Sequence, residues 1–167
     1  MTRLRLFVYG SLKRGFNNYN RFCRGVHTME DALIEGSLYL MPTGYPALRL
    51  SESLVLARAA ASCAADIETE ERFAKHLAAG TNHASRFRPA ASRVHGTILT
   101  FANPLQRLRA MDVLEEFRPA HRSRYERVLI PVYSHTSQSK VPVWTYVAGE
   151  LSPRGRRIPS GRWLGQK

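Results

Sequence analysis

The sequence predicts an α+β fold whose mostly antiparallel or mixed sheet curls into a barrel. Three features carry that prediction: short apolar runs of period two, few segments of helical periodicity, and no internal repeat. The 167 residues fit one domain, since domains commonly run ~100–200 residues.

The first strand is expected over residues 4–8, where Leu4, Leu6 and Val8 alternate with Arg5 and Phe7 before the breaker Gly10. Asn17 and Asn18 offer caps for a short helix carrying Tyr19, Phe22 and Cys23. Residues 36–41 and 46–50 read as strands split by the turn Pro42-Thr43-Gly44. Residues 51–93 are Ala-rich and polar, and read as an insertion with one helix over 66–79. Acids crowd its first turns, Glu68 faces Arg72, Glu71 faces Lys75, and Gly80 closes it. Strands resume at 94–101, a helix spans 104–117 with Pro104 in its first turn, and two strands follow at 125–133 and 141–147. The remainder, about 150–167, is a basic tail rich in Gly, Pro and Arg.

Composition narrows the classes. A transmembrane helix needs roughly 20 apolar residues in a row, and Arg49, Arg58 and Arg72 interrupt the most apolar stretches, so no membrane partner is expected. The N-terminal run is too short for a signal peptide, which predicts a cytoplasmic protein. Cys23 and Cys63 are too few and too far apart for a disulfide framework or a C-x-x-C pair. The six histidines show no metal-ligand spacing, so no metal is expected. The formal charge is +12, from 25 basic and 13 acidic residues, and no acid follows Glu150. That charge brings nucleic acid and acidic proteins into consideration as partners, although no zinc-finger, heptad or ribonucleoprotein signature accompanies it. A solvated arginine surface explains the same composition.

Two local features point to chemistry. On a helix at ~100° per residue, Leu105, Leu108, Met111 and Leu114 form one stripe, and Glu115 lies only about 20° from Leu108. Asp112 borders the same face. Inward carboxylates have raised pKa values and occur where protons are moved; alternatively, Glu115 reaches to the helix end or pairs with an arginine such as Arg127. The loop from Tyr9 to Gly15 follows a strand directly, and successive backbone N–H groups in such a loop can bind an anion or a developing oxyanion. Its spacing is neither a Walker nor a dinucleotide motif. Ser11 also lacks the G-x-S-x-G elbow of a hydrolase nucleophile.

Four motifs in order, Phe7-Val8-Tyr9-Gly10-Ser11-Leu12-Lys13-Arg14-Gly15, Gly44-Tyr45-Pro46-Ala47-Leu48, Met111-Asp112-Val113-Leu114-Glu115 and Tyr125-Glu126-Arg127, resemble the gamma-glutamylcyclotransferase-like superfamily. The resemblance spans residues 4–50 and 94–147. It implies a small mixed β-barrel with flanking helices and a pocket at one barrel mouth. It also implies Glu115 as the single catalytic acid/base, and a substrate-binding role for Tyr9, Gly10, Ser11, Leu12, Tyr45 and Tyr125. The implied reaction attacks a γ-glutamyl carbonyl with the substrate's own α-amine, releasing 5-oxoproline and an amine without a cofactor. The substrates implied are small γ-glutamyl amines or amino acids, and an acidic carrier protein bearing the γ-glutamyl group would suit the +12 charge.

The sequence departs from that pattern at Glu116, where the family often has a small residue, in the run from Glu115 to Tyr125, and in the 51–93 segment. A different reading keeps the barrel as a non-catalytic module that binds an anionic partner through its arginines, including Arg154, Arg156, Arg157 and Arg162. Binding to nucleic acid would then weaken steeply with salt.

Overall fold

The structure is a computed structural model, and its described residues are 3–79 and 92–165. In chain order the elements are β1 (Leu4–Val8), α1 (Tyr19–Phe22), β2 (Val26–Glu35), β3 (Ser37–Leu40), β4 (Pro46–Arg49), a 3-10 turn (Glu52–Leu54), β5 (Ala57–Arg58), α2 (Cys63–Ala79), β6 (Arg93–Phe101), α3 (Pro104–Leu114), β7 (Tyr125–Ser134), β8 (Ser139–Ala148) and β9 (Arg156–Ile158). Gly80, the stretch 80–91 of the expected insertion, and His83 within it lie outside the described residues.

Strand β1 lies antiparallel to β6 and parallel to β8, with Leu6 opposite both Leu99 and Trp144. Strand β2 runs antiparallel to β6 along its length and meets β7 at Ala32 and Leu33. The order β2-β6-β1-β8-β7 therefore closes into a five-stranded mixed barrel, with β5 added along the stretch of β7 that β2 leaves open. A separate small sheet, β4-β3-β9, lies beside it.

The period-two pattern of β1 sorts its partners. Leu4, Leu6 and Val8 pack with Leu108 and Met111 of α3 and Ile67 of α2, whereas Phe7 and Tyr9 pack with Ile98, Ile130 and Val143 and with Leu38 and Leu48 of the β3–β4 hairpin. A strand buried on both faces needs apolar residues at nearly every position, which this one supplies.

Several elements differ from the sequence expectation. Strand β2 was not anticipated because its first half is polar and mostly exposed, and only Ala32, Leu33 and Ile34 are buried. Its ladder to β6 is a backbone interaction that needs no apolar side chain. Helix α3 ends at Leu114 rather than at 117, and Leu105 is 42% exposed, so the buried stripe shrinks to Leu108 and Met111. Asn18 makes no capping hydrogen bond; its amide Nδ2 donates instead to the Ser11 hydroxyl at 2.8 Å. Within the segment read as a basic tail, β9 pairs with β3, and Trp163 is buried beside the barrel. Among the described residues, no helix is long and apolar enough to cross a membrane.

Helix α2 docks through polar groups that sequence periodicity did not single out. Asp66 and Glu70 are buried. The Asp66 carboxylate accepts from Arg127 Nη2 at 2.9 Å and from the Ala60 N–H at 2.8 Å. Arg127, whose side chain is fully buried, donates through Nε to Asp112 at 2.8 Å and lies over the rings of Trp144 and Phe117. One guanidinium thus ties α2, α3 and β7 together. The Glu70 carboxyl accepts from the Arg5 N–H at 3.1 and 3.3 Å, and burial pushes its pKa up to about 8. Because the folded-state pKa is above the unfolded one, Glu70 stabilises the fold fully at low pH and loses that contribution as pH rises from about 4.5 through about 8. Glu70→Gln is expected to flatten this decline, which amounts to a few kcal/mol on the order-of-magnitude scale of ~1.4 kcal/mol per unit. Urea midpoints between pH 5 and 9 test it, and parallel curves for the two proteins would contradict it.

Candidate active site

A cavity of about 370 Å³ opens where the β1 loop, the end of α3, the start of β7 and the β3–β4 turn meet. Its size is in the range of small-molecule sites, roughly 300–1,000 Å³. All seven site residues expected from the sequence line it: Tyr9, Gly10, Ser11 and Leu12 from the loop, Tyr45 from the turn, Glu115 from the helix end and Tyr125 from β7.

The loop is shaped by a β-turn in which the Lys13 N–H donates to the Gly10 carbonyl at 3.0 Å. The N–H groups of its two central residues, Ser11 and Leu12, stand outside the turn's own hydrogen bond. Gly10 is needed for closeness, since a Cβ there would sit 2.9 Å from the Pro46 ring and push the loop off the β3–β4 turn. The Ser11 hydroxyl accepts from Asn18, so its own proton remains to be donated.

Three tyrosine hydroxyls in the cavity wall are already committed. Tyr9 donates to the Tyr146 carbonyl at 2.6 Å and accepts from the Leu48 N–H at 3.3 Å. Tyr125 donates to the Pro46 carbonyl at 3.1 Å, and Tyr146 donates to Asp112 Oδ1 at 2.6 Å. Burial raises all three, with Tyr125 pushed up to about 12, so they stay protonated donors at neutral pH. Tyr9 and Tyr125 therefore present ring surface more than hydroxyls to a ligand.

Glu115 is different. Among the described residues its carboxyl has no ion-pair partner, because Arg127 is taken by Asp112 and Asp66. Burial first, and the neighbouring Glu116 second, raise its pKa to about 7. Asp112, three residues earlier, is also raised by burial, but Arg127 and the Tyr146 hydroxyl oppose the rise. The two inward carboxylates of one helix thus divide into a paired anchor and an unpaired, half-buried acid facing the cavity.

The helix end that presents Glu115 is a Schellman motif. The Phe117 N–H donates to the Asp112 carbonyl at 2.9 Å, the Glu116 N–H donates to the Val113 carbonyl at 3.3 Å, and Glu116 has φ 52°. Glycine usually occupies that left-handed position. Glu116→Gly is expected to stabilise the protein by about 0.5–1 kcal/mol, the relief of left-handed strain exceeding the added unfolded-state entropy. Glu116→Gln keeps the strain and removes the charge, so it should lower the Glu115 pKa and leave stability nearly unchanged. Thermal unfolding and a Glu115 titration by NMR separate the two effects, and an unshifted Glu115 in both variants would contradict the second.

Residues not expected at the site from the sequence complete the wall. Asn18 orients Ser11, Tyr146 packs edge-on against Phe117, and Arg124 with Thr43 borders the cavity. Tyr146 stands directly across from Arg127 in the β7–β8 ladder, a register visible only once the hairpin is paired. Among the described residues, no group of three His, Cys, Asp or Glu side chains is arranged to hold a metal ion.

Comparison with known proteins adds a family and a fold. A family model described as gamma-glutamyl cyclotransferase, AIG2-like, matches residues 6–59 and 51–165. A search of curated protein sequences returns no match. The fold is similar to that of an Arabidopsis thaliana protein solved in solution, at 21% identity and TM-score 0.55, covering 98% of this chain and 70% of that one. It is similar to an AIG2-like protein from Mus musculus, at 18% identity and TM-score 0.54, covering 92% and 82%. YkqA from Bacillus subtilis is similar at 15% identity and TM-score 0.54, where 96% of this chain spans 39% of that one.

Proposed function

The chain belongs to the gamma-glutamyl cyclotransferase, AIG2-like family, and from that membership and the cavity we propose that it is a cyclotransferase releasing 5-oxoproline from a small γ-glutamyl amine or γ-glutamyl amino acid. Family membership supports a gamma-glutamylcyclotransferase-like enzyme. The single observation that carries the finer reading is Glu115, an unpaired carboxyl with a pKa near 7 on the cavity wall.

In the proposed reaction the cavity holds the γ-glutamyl group folded, with its α-nitrogen against its γ-carbonyl. Ring closures of this kind have effective molarities of order 10⁵ M or more, so positioning supplies most of the rate. The α-ammonium, with an ordinary pKa near ~8, gives a proton to the Glu115 carboxylate. The nitrogen lone pair then forms the ring bond to the γ-carbon, and the carbonyl oxygen becomes negative. The N–H groups of Ser11 and Leu12, with the Ser11 hydroxyl, are the donors suited to this oxyanion or to the substrate α-carboxylate. Collapse breaks the bond from the γ-carbon to the leaving nitrogen, which takes the proton back from Glu115. The extra proton on the ring nitrogen then passes through the regenerated Glu115 carboxylate to the departing amine, leaving a neutral lactam and an ammonium. One acid near its half-titrated state at neutral pH serves these transfers.

The test is 5-oxoproline release from a panel of γ-glutamyl amines and γ-glutamyl amino acids. Release from at least one of them is expected, and a folded protein that turns over none would overturn the small-substrate reading. A barrel that only bound anions through its arginines would leave the unpaired Glu115 without a role.

A further inference from the structure

A second groove, of about 430 Å³, runs beside β2 and β6 and shares no lining residue with the cavity above. Four segments distant in sequence bring basic groups to it: Lys13 from the β1 loop, His95 from β6, His135 just after β7 and Arg162 from the C-terminal segment. Asp31 is the one carboxylate among its lining residues, and Thr97 adds a hydroxyl.

The convergence is built rather than incidental. Gly161, at φ 62°, lets the C-terminal turn press so closely on β6 that a Cβ there would overlap the Arg93 carbonyl, and the His95 N–H donates to the Gly161 carbonyl at 2.9 Å. That turn places Arg162 next to His95 while Trp163 is buried. Lys13 reaches across to donate to the Trp163 carbonyl at 2.9 Å, which fixes its amine at the groove's edge. The electrostatics agree with this geometry. Burial and then the neighbouring basic groups, Arg162 foremost, hold the His95 imidazole below its usual pKa, and burial with Arg162 lowers Lys13. Like charges brought together in this way are relieved by an anion.

We infer that this groove is a second ligand site, which takes a small phosphomonoester. Lys13, Arg162, two imidazoles and the Thr97 hydroxyl converge on the groove against one carboxylate, and so many donors suit the three acceptor oxygens and the roughly −1.5 to −2 charge of a phosphomonoester better than the two oxygens of a single carboxylate. The volume holds a phosphate with a few carbons attached, against the apolar side chains of Ala32 and Leu164. The site stands apart from the proposed cyclotransferase chemistry and does not depend on it.

The probes are inorganic phosphate, O-phosphoserine and the dicarboxylate succinate, titrated calorimetrically at constant ionic strength into wild type, Arg162→Gln, Arg162→Gln/His95→Asn and Glu115→Gln. Saturable binding of O-phosphoserine is expected, with succinate weaker, affinity reduced about tenfold or more in the double variant, and no change in Glu115→Gln. Arg162 is exposed and belongs to no core cluster, so the single variant alone decides the question if the double one does not fold. Binding that does not saturate, that survives both arginine variants, that is lost in Glu115→Gln, or that is as tight for succinate would overturn the inference.

Discussion

Replacing Glu115 by glutamine is expected to reduce 5-oxoproline release about 10²–10⁴-fold, the usual contribution of a positioned general acid/base. Glutamine keeps the shape and removes the proton acceptor. In the wild type, kcat/KM should rise with pH and inflect near the Glu115 pKa of about 7, since only the carboxylate can take the α-ammonium proton. That inflection should vanish in the variant's residual rate. Stability supplies an independent readout with the opposite sign. The Glu115 pKa is raised above its ordinary 4.5, so its contribution to stability is complete at low pH and is lost as pH rises through about 7. At pH 8 Glu115→Gln should therefore be the more stable protein, by something on the order of 1–2 kcal/mol once solvent screening of a half-buried group is allowed for. A variant that is inactive and more stable has lost a catalytic group and not its fold. A variant that retains more than about a tenth of wild-type activity would remove Glu115 from the acid/base role.

Arg127→Met is expected to cost about 3–5 kcal/mol, because it leaves Asp66 and Asp112 buried without their shared cation. The arginine side chain is wholly inaccessible, and its two carboxylate contacts, at 2.9 and 2.8 Å, come from α2 and α3. Neutralising the acids as well, in Arg127→Met with Asp66→Asn and Asp112→Asn, should recover much of the loss, since the penalty comes from stranded charges more than from the absent contact. Urea unfolding of the single and triple variants measures both. A loss below about 1 kcal/mol in the single variant would mean that water or rearrangement satisfies the acids, and the guanidinium would not be the anchor of these helices.

How much could be read in the sequence varied with the origin of each feature. Strands β1, β6, β7 and β8 were legible because strands packed on a core carry apolar residues at predictable positions. Strand β2 was not, since its pairing to β6 is a backbone ladder under polar side chains. The inward direction of Glu115 followed from helix angles alone. Why it stands unpaired did not, because the arginine that competes for it is claimed by Asp66, 61 residues upstream. The cavity residues from the Gly10 turn were legible as a local motif. Asn18 read as a helix cap, and its actual bond to Ser11 depends on how the loop folds back. Tyr146 and the groove beside His95 exist only because the barrel closes and the C-terminal segment docks, and no local pattern encodes either.

The place of β1 has a consequence for how the chain acquires its structure during synthesis. Both neighbours of this strand, β6 and β8, come from beyond residue 92, and β2 likewise waits for β6 and β7. Until residues beyond about 92 have left the ribosome, β1 and β2 have no barrel partners, while the β3–β4 hairpin can pair at once. Long-range pairing of this kind slows folding and prolongs the exposure of apolar strands. Leu4-Arg5-Leu6-Phe7-Val8, the segment that leads into the Gly10 turn, is thus the part of the nascent chain most in need of shielding until β8 has emerged.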